Sequence, residues 1–252
     1  MPLPFEISLQ DKVAVVTGGS NGIGAATVRA LAQAGARVAV GYHKGRDRAE
    51  KLIAALPGSG HRPIQLRMED SATLRAAARE VREAYGRADI LINSAGFTKP
   101  IPHADLDALD DATFDAVMTA NVRGAFAMIR AMVPLMRETG DAVIVNISSI
   151  SAFTGAGSSI VYCASKGALD TMTLSLARAL APQIRVVCVS PAAVATDFVA
   201  GRGRPQLEKI AQSTPINRVM EAEEVALAVM ACLTHLRGAT GTRIVVDNGR
   251  HL

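Results

Sequence analysis

The sequence predicts an α/β chain built on a doubly wound, mainly parallel sheet of seven strands flanked by helices on both faces. Three observations predict it: seven short runs rich in β-branched residues, helical Ala/Leu/Arg-rich stretches between them, and a glycine turn directly after the first run. The runs are Val13 to Val16, Arg37 to Val40, Ile64 to Leu66, Ile90 to Ile92, Ala142 to Ile147, Arg185 to Val189 and Arg243 to Val246. Several are apolar without alternation, as strands covered on both faces must be. A β-α-β repeat implies right-handed crossovers and a ligand crevice beyond the carboxyl ends of the strands, where strand order reverses. Residues just after each strand are therefore the candidates for function.

The chain has 252 residues, 49% of them hydrophobic, and no Pro/Gly/Ser-rich linker or charge block divides it, so one domain over 1–252 is expected. Within it, 192–220 contains Gly201-Arg202-Gly203-Arg204-Pro205 and no sustained strand, which reads as a partly mobile substrate loop. The net charge is +4, but basic residues are scattered and aromatics make up 4%, so no nucleic-acid partner is expected. Cys163, Cys188 and Cys232 lie far apart without CxxC pairs or clustered histidines, which argues against a disulfide framework and against a metal site. Met1 to Gln10 lacks the pattern of a signal peptide, and no apolar run reaches membrane-spanning length. A cytoplasmic protein with no membrane partner is expected.

Thr17-Gly18-Gly19-Ser20-Asn21-Gly22-Ile23-Gly24 joins the first strand to an Ala/Leu-rich helix. Glycines let the backbone turn tightly and approach a pyrophosphate, while the helix start offers unpaired N–H groups and partial positive charge. The turn lacks the Gly-Lys-Ser/Thr ending of a P-loop, and Thr27 takes the last glycine position of GxGxxG. Further along, Tyr162 and Lys166 lie four apart at the start of a long helical pattern, so both project from one face and the lysine can act on the tyrosine. A phenol ordinarily titrates near pH ~10. A neighbouring ammonium, together with the positive charge of an oxidised cofactor, favours the phenolate, so a lowered value and proton transfer near neutrality are expected. Ser149, after the fifth strand, is placed to hold a substrate oxygen.

These marks together resemble the short-chain dehydrogenase/reductase family, from Lys12 to Gly249, and especially its 3-oxoacyl-(acyl-carrier-protein) reductases. The resemblance implies a Rossmann-type fold and hydride transfer between a nicotinamide dinucleotide and a carbonyl or secondary alcohol. It implies a catalytic set of Asn121, Ser149, Tyr162 and Lys166, with Asn121 supporting a water that joins the lysine to solvent. Cofactor contacts would come from Gly18, Ser20, Asn21, Gly22, Ile23 and Gly24, from Asn93, Ala95 and Gly96, from Tyr162 and Lys166, and from Val194 and Thr196 at the carboxamide. Members commonly assemble as dimers or tetramers, here through helices beginning near Asp111 and Tyr162; a homotetramer is expected.

Four departures stand out. Ser94 replaces an asparagine, Ala192 follows Pro191 where the family has glycine, Asn248 stands at a glycine position, and Arg67 falls where an acid or amide would meet the adenine. After the second strand, NAD-preferring members carry an acid for the ribose 2′-hydroxyl. Here that place is Tyr42, followed by His43, Lys44 and Arg46, which favours NADP(H) over NAD(H). An NADP-dependent ketone or 3-oxoacyl reductase is the leading expectation. An NAD-dependent alcohol, sugar or steroid dehydrogenase is the alternative, with a non-catalytic dinucleotide sensor behind it. Phe97, Ile150, Phe153, Phe198 and Val199 are candidates for an apolar substrate pocket, and Arg202, Arg204 and Lys209 for attracting an acidic substrate.

Overall fold

A computed structural model describes residues 8–252; the N-terminal part of the signal-peptide reading, over residues 1–7, lies outside it. The strands are β1 (Val13–Thr17), β2 (Arg37–Tyr42), β3 (Arg62–Gln65), β4 (Ile90–Asn93), β5 (Ala142–Ile147), β6 (Ile184–Pro191) and β7 (Arg243–Val246). They form one sheet in the order β3-β2-β1-β4-β5-β6-β7, and every adjacent pair is parallel. The chain builds outward from β1 to β3, then crosses to β4 on the other side of β1. Strand order reverses there, with Thr17 opposite Asn93 at the strand ends.

The helices are α1 (Gly22–Gln33), α2 (Arg46–Ala54), α3 (Ser71–Tyr85), α4 (Asp111–Met118), α5 (Gly124–Arg137), α6 (Ser151–Thr154), α7 (Ile160–Leu180), α8 (Arg204–Ala211) and α9 (Ala222–Thr234). Local chemistry sets their ends. Asp70 accepts the Ala72 N–H at 2.8 Å at the start of α3, Asp110 accepts that of Thr113 at 2.7 Å at the start of α4, and Gly86 closes α3 with φ of 70°.

Strand pleating divides the core in two. Ala14, Val16, Val38 and Val40 face one cluster, which includes Leu31 of α1 and Val225 and Val229 of α9. Val15, Ala39, Leu91, Ile144 and Val186 face the other, with Val81 of α3 and Met128 and Met132 of α5. Neighbouring residues of one strand thus serve opposite layers, which accounts for the unbroken apolar runs.

The expected strands are all present, with shifted bounds at β1, β2, β3, β4 and β6. The larger difference falls in 192–220, expected as loop: α8 occupies Arg204–Ala211, starting with Pro205 in its first turn, where a fixed φ and a missing N–H cost nothing. The segment is anchored at both ends, because Val194 bridges Met220 and the Ala195 N–H donates to the Met220 carbonyl at 2.9 Å.

Candidate active site

At the strand carboxyl ends lies a cavity of about 860 Å³, lined at one end by Gly18, Ser20, Asn21, Gly22 and Ile23 and at the other by Ser149, Tyr162 and Lys166. The turn from β1 into α1 packs so closely that glycine is required. A Cβ on Gly18 would stand 2.9 Å from the Ala95 Cα, and one on Gly24 would stand 2.2 Å from the Gly18 carbonyl oxygen. Gly22 has φ of 51°, in the left-handed region. Thr17 Oγ1 accepts from the Ser94 and Ala95 N–H groups at 3.1 and 3.0 Å, tying the ends of β1 and β4 together. Asn21, the residue before α1, makes no side-chain cap, which leaves the first N–H groups of a twelve-residue helix facing the cavity. That donor set, with close backbone approach, fits a pyrophosphate.

Tyr162 and Lys166 project from the first turns of α7, which Ser159 begins by accepting the Tyr162 N–H at 3.4 Å. Lys166 is 5% exposed; its Nζ donates to the Ile147 carbonyl at 2.7 Å and lies 5.7 Å from the Tyr162 ring centroid. Burial pulls its pKa down from 10.5 to about 8, with the Asp170 carboxylate opposing. Burial pushes the Tyr162 phenol up to about 12, against smaller lowering influences from the Ser149 hydroxyl and the Arg202 guanidinium. The lowering expected from Lys166 and an oxidised nicotinamide together is not produced by Lys166 alone: the ammonium sits against the ring and donates a hydrogen to the Ile147 carbonyl, and desolvation outweighs the rest. A neutral phenol suits proton donation.

Asn121 lies in a π-helical turn, Thr119–Arg123, between α4 and α5 and is 2% exposed. Its amide donates to the Phe97 carbonyl and to Ser165 Oγ, both at 3.0 Å, and its oxygen accepts the Phe97 N–H at 2.7 Å. It therefore binds the segment after β4 to α7, and its side chain is spent on those bonds.

Of the other sequence-derived candidates, Ala95, Gly96, Val194, Thr196, His43 and Lys44 line the cavity. Three do not. Gly24 is a packing glycine. Tyr42 is buried in the core beneath the cavity rim, its β2 position turning the ring inward. Asn93 donates to Asn146 Oδ1 at 2.9 Å, and Asn146 donates on to Thr173 at 2.9 Å, so it belongs to a buried amide ladder behind the cavity wall. Arg46 pairs with Glu50 at 2.8 Å, while Arg48, which the sequence reading passed over, lines the rim. Helix α2 starts at Arg46, and the two-residue step to Arg48, about half a turn, puts the two arginines on opposite sides of the helix. Arg67 pairs with Glu69 at 3.2 Å, and Glu69 also meets His43 at 3.3 Å. At the substrate end Ile150, Phe198 and Val199 line the cavity, whereas Phe97 does not, and Phe153 packs under Arg243 with 4.5 Å between guanidinium carbon and ring centroid.

The family model described as enoyl-(acyl carrier protein) reductase matches residues 18–251. A Streptomyces violaceoruber protein assigned as granaticin polyketide synthase ketoacyl reductase 2 is 37% identical over 95% of this chain and 96% of its own. A Burkholderia xenovorans crystal structure assigned as a short-chain dehydrogenase/reductase superposes with a TM-score of 0.90 at 38% identity, covering 96% of this chain and 98% of that one. The chain belongs to the short-chain dehydrogenase/reductase family. It is an oxidoreductase, and short-chain dehydrogenases/reductases use nicotinamide dinucleotides. Another family structure, 3-ketoacyl-(acyl-carrier-protein) reductase from Brucella melitensis complexed with NADH, superposes with a TM-score of 0.88 at 29% identity, covering 97% and 100% of the two chains. Among the described residues, no helix is long and apolar enough to cross a membrane.

Proposed function

We propose that this protein is an NADP-dependent carbonyl reductase, acting on a ketone or 3-oxoacyl group. The observation that carries the cofactor preference is the rim after β2: Tyr42 offers no carboxylate there, and Lys44 and Arg48 line the cavity where a 2′-phosphate would sit. The pyrophosphate would lie on the α1 N-terminus, with Val194 and Thr196 at the carboxamide. When bound, the reduced nicotinamide supplies a hydride to the carbonyl carbon. Ser149 holds the carbonyl oxygen, and Tyr162 gives it a proton, so the products are an alcohol and the oxidised dinucleotide. Lys166 returns the proton to the phenol and holds the nicotinamide ribose; Asn121 keeps α7 in register with the segment after β4.

Separate calorimetric titrations of NADPH and NADH test this. At least about tenfold tighter NADPH, roughly 1.4 kcal/mol, is the expected result, and equal affinities overturn it. One observation favours an NAD-dependent dehydrogenase instead: Glu69 stands 3.3 Å from His43, where a carboxylate would repel a 2′-phosphate. Arg67 pairs with the same carboxylate oxygen at 3.2 Å and offsets its charge, which favours NADP.

The same reading takes 1–252 as one domain in the cytoplasm and associates copies through α4, α5 and α7, where Phe114, Phe126 and Leu174 are exposed. A monomer in sedimentation would overturn the association.

A further inference from the structure

Two arginines distant in sequence both line the cavity. Arg202 follows the turn after Phe198 and Val199, and Arg250 lies in the turn after β7. Arg250 is held in place. Asp247, 6% exposed, accepts the Gly249 and His251 N–H groups at 3.0 and 2.9 Å, which closes that turn. Its Nη1 reaches Ser213 Oγ at 3.2 Å, and both Ser213 and Ile210 share the cavity wall with it.

Arg202 is half-buried, and among the described residues no carboxylate lies within ion-pair distance of either arginine. Arg204, two residues on, pairs with Glu221 at 2.6 Å and Glu208 at 3.4 Å. Burial pushes the Arg202 guanidinium down, Tyr162 opposes that shift, and Arg250 adds to it. Arg202 is half-buried without gaining an anion, which costs free energy, and the exposed Arg250 adds a second positive charge to the same cavity. The wall around them, Ile150, Phe198 and Val199, offers no counter-charge.

We propose that Arg202 and Arg250 form an anion subsite beside Tyr162, and that the substrate is a carbonyl compound carrying a carboxylate or phosphate close to the reacting carbon. This rests on the carbonyl-reductase reading and names its substrate class. The guanidinium fork takes either anion by paired hydrogen bonds and fixes which carbonyl face meets the nicotinamide.

The experiment compares acetoacetate, its neutral methyl ester and a ketone phosphate ester as substrates for the full chain. Calorimetric titration of malonate, which cannot be reduced, accompanies it. Expected are malonate binding, and an acid-to-ester ratio of kcat/KM that falls at least about tenfold in Arg202→Ala and in Arg250→Ala, mainly through KM. Arg202→Lys restores part of the ratio, and Arg204→Ala leaves it unchanged. A phosphate ester preferred to acetoacetate assigns the subsite to phosphate, and the reverse assigns it to carboxylate. Equal preference for acid and ester overturns the subsite while the reductase reading stands; no reduction of any carbonyl, with malonate still bound, overturns the reductase reading alone. Loss of dinucleotide affinity in Arg202→Ala, with the ratio unmoved, gives Arg202 to the cofactor pyrophosphate and overturns the proposal.

Discussion

Asp170 and Arg243 form an ion pair at 2.7 Å one helical turn past Lys166, joining α7 to β7. The other carboxylate oxygen accepts the Ser148 hydroxyl at 2.5 Å, so Asp170 is satisfied on both sides and 7% exposed. Its negative charge is the largest influence opposing the burial that lowers Lys166.

Replacing Asp170 by Asn removes what favours the ammonium, so Lys166 loses its proton at lower pH. The limb of the pH–rate profile that reports this lysine is expected to move to lower pH, with the cofactor affinity measured in parallel. Leaving Arg243 without its anion also costs about 1–3 kcal/mol in urea unfolding. A profile that moves to higher pH would contradict the electrostatic role.

Tyr162 carries a second prediction. In protein without added dinucleotide, its phenolate absorbance is expected to rise near pH 12, read as the difference between wild type and Tyr162→Phe. Oxidised dinucleotide, a cation at the nicotinamide ring, should move that rise to lower pH. In turnover, Tyr162→Phe is expected to lose about 10²–10⁴-fold in kcat while dinucleotide still binds.

Gly24→Ala tests the cradle. Its Cβ would meet the Gly18 carbonyl oxygen at 2.2 Å, and backbone cannot give way as a side chain can. Dinucleotide binding is expected to weaken by at least about tenfold, or roughly 1.4 kcal/mol, in calorimetry. Gly86→Ala, with open space around its Cβ and φ of 70°, pays only the local strain of about 1–2 kcal/mol and should bind normally.

At the opposite end of the sheet, Asp89 is 2% exposed, and burial alone would raise its pKa. Arg87, the Val13 N–H and Lys12 together bring it below the usual value. A depressed carboxylate stabilises the fold above its unfolded pKa of about 3.9, and that contribution disappears as pH falls through the folded value. Asp89→Asn is expected to lose stability at neutral pH but to show a shallower decline in acid, measured by urea unfolding across pH.

The sheet and the glycine turn were legible because both depend on local pattern: apolar runs announce covered strands, and glycine announces close backbone approach. Position relative to a surface was harder. Tyr42 was placed by sequence at the rim, yet the pleat of β2 turns its ring into the core, while Arg48 faces the cavity because of where α2 begins. Asn93 carries the right residue type for a ligand contact, but its amide donates to Asn146 and its buried Oδ1, without a partner among the described residues, lies behind the cavity wall. Helix α8 was hidden by the Gly-Arg-Gly-Arg-Pro run, which reads as loop although its proline starts the helix. Arg250 gave no signal at all, because only the closing turn at Asp247 brings a residue at the chain's end to Tyr162's cavity.

The bridge between Val194 and Met220 sets the two doorposts of the substrate segment side by side: it leaves and rejoins the body at adjacent backbones. The entropy of closing such an excursion grows only slowly with its length, so residues between the two posts can be exchanged, added or removed without redrawing the seven-stranded scaffold. Variation in what is admitted is thereby separated from Ser149, Tyr162 and Lys166, which lie outside the excursion, and the same frame can be fitted to new molecules by rewriting the part of it beyond Thr196.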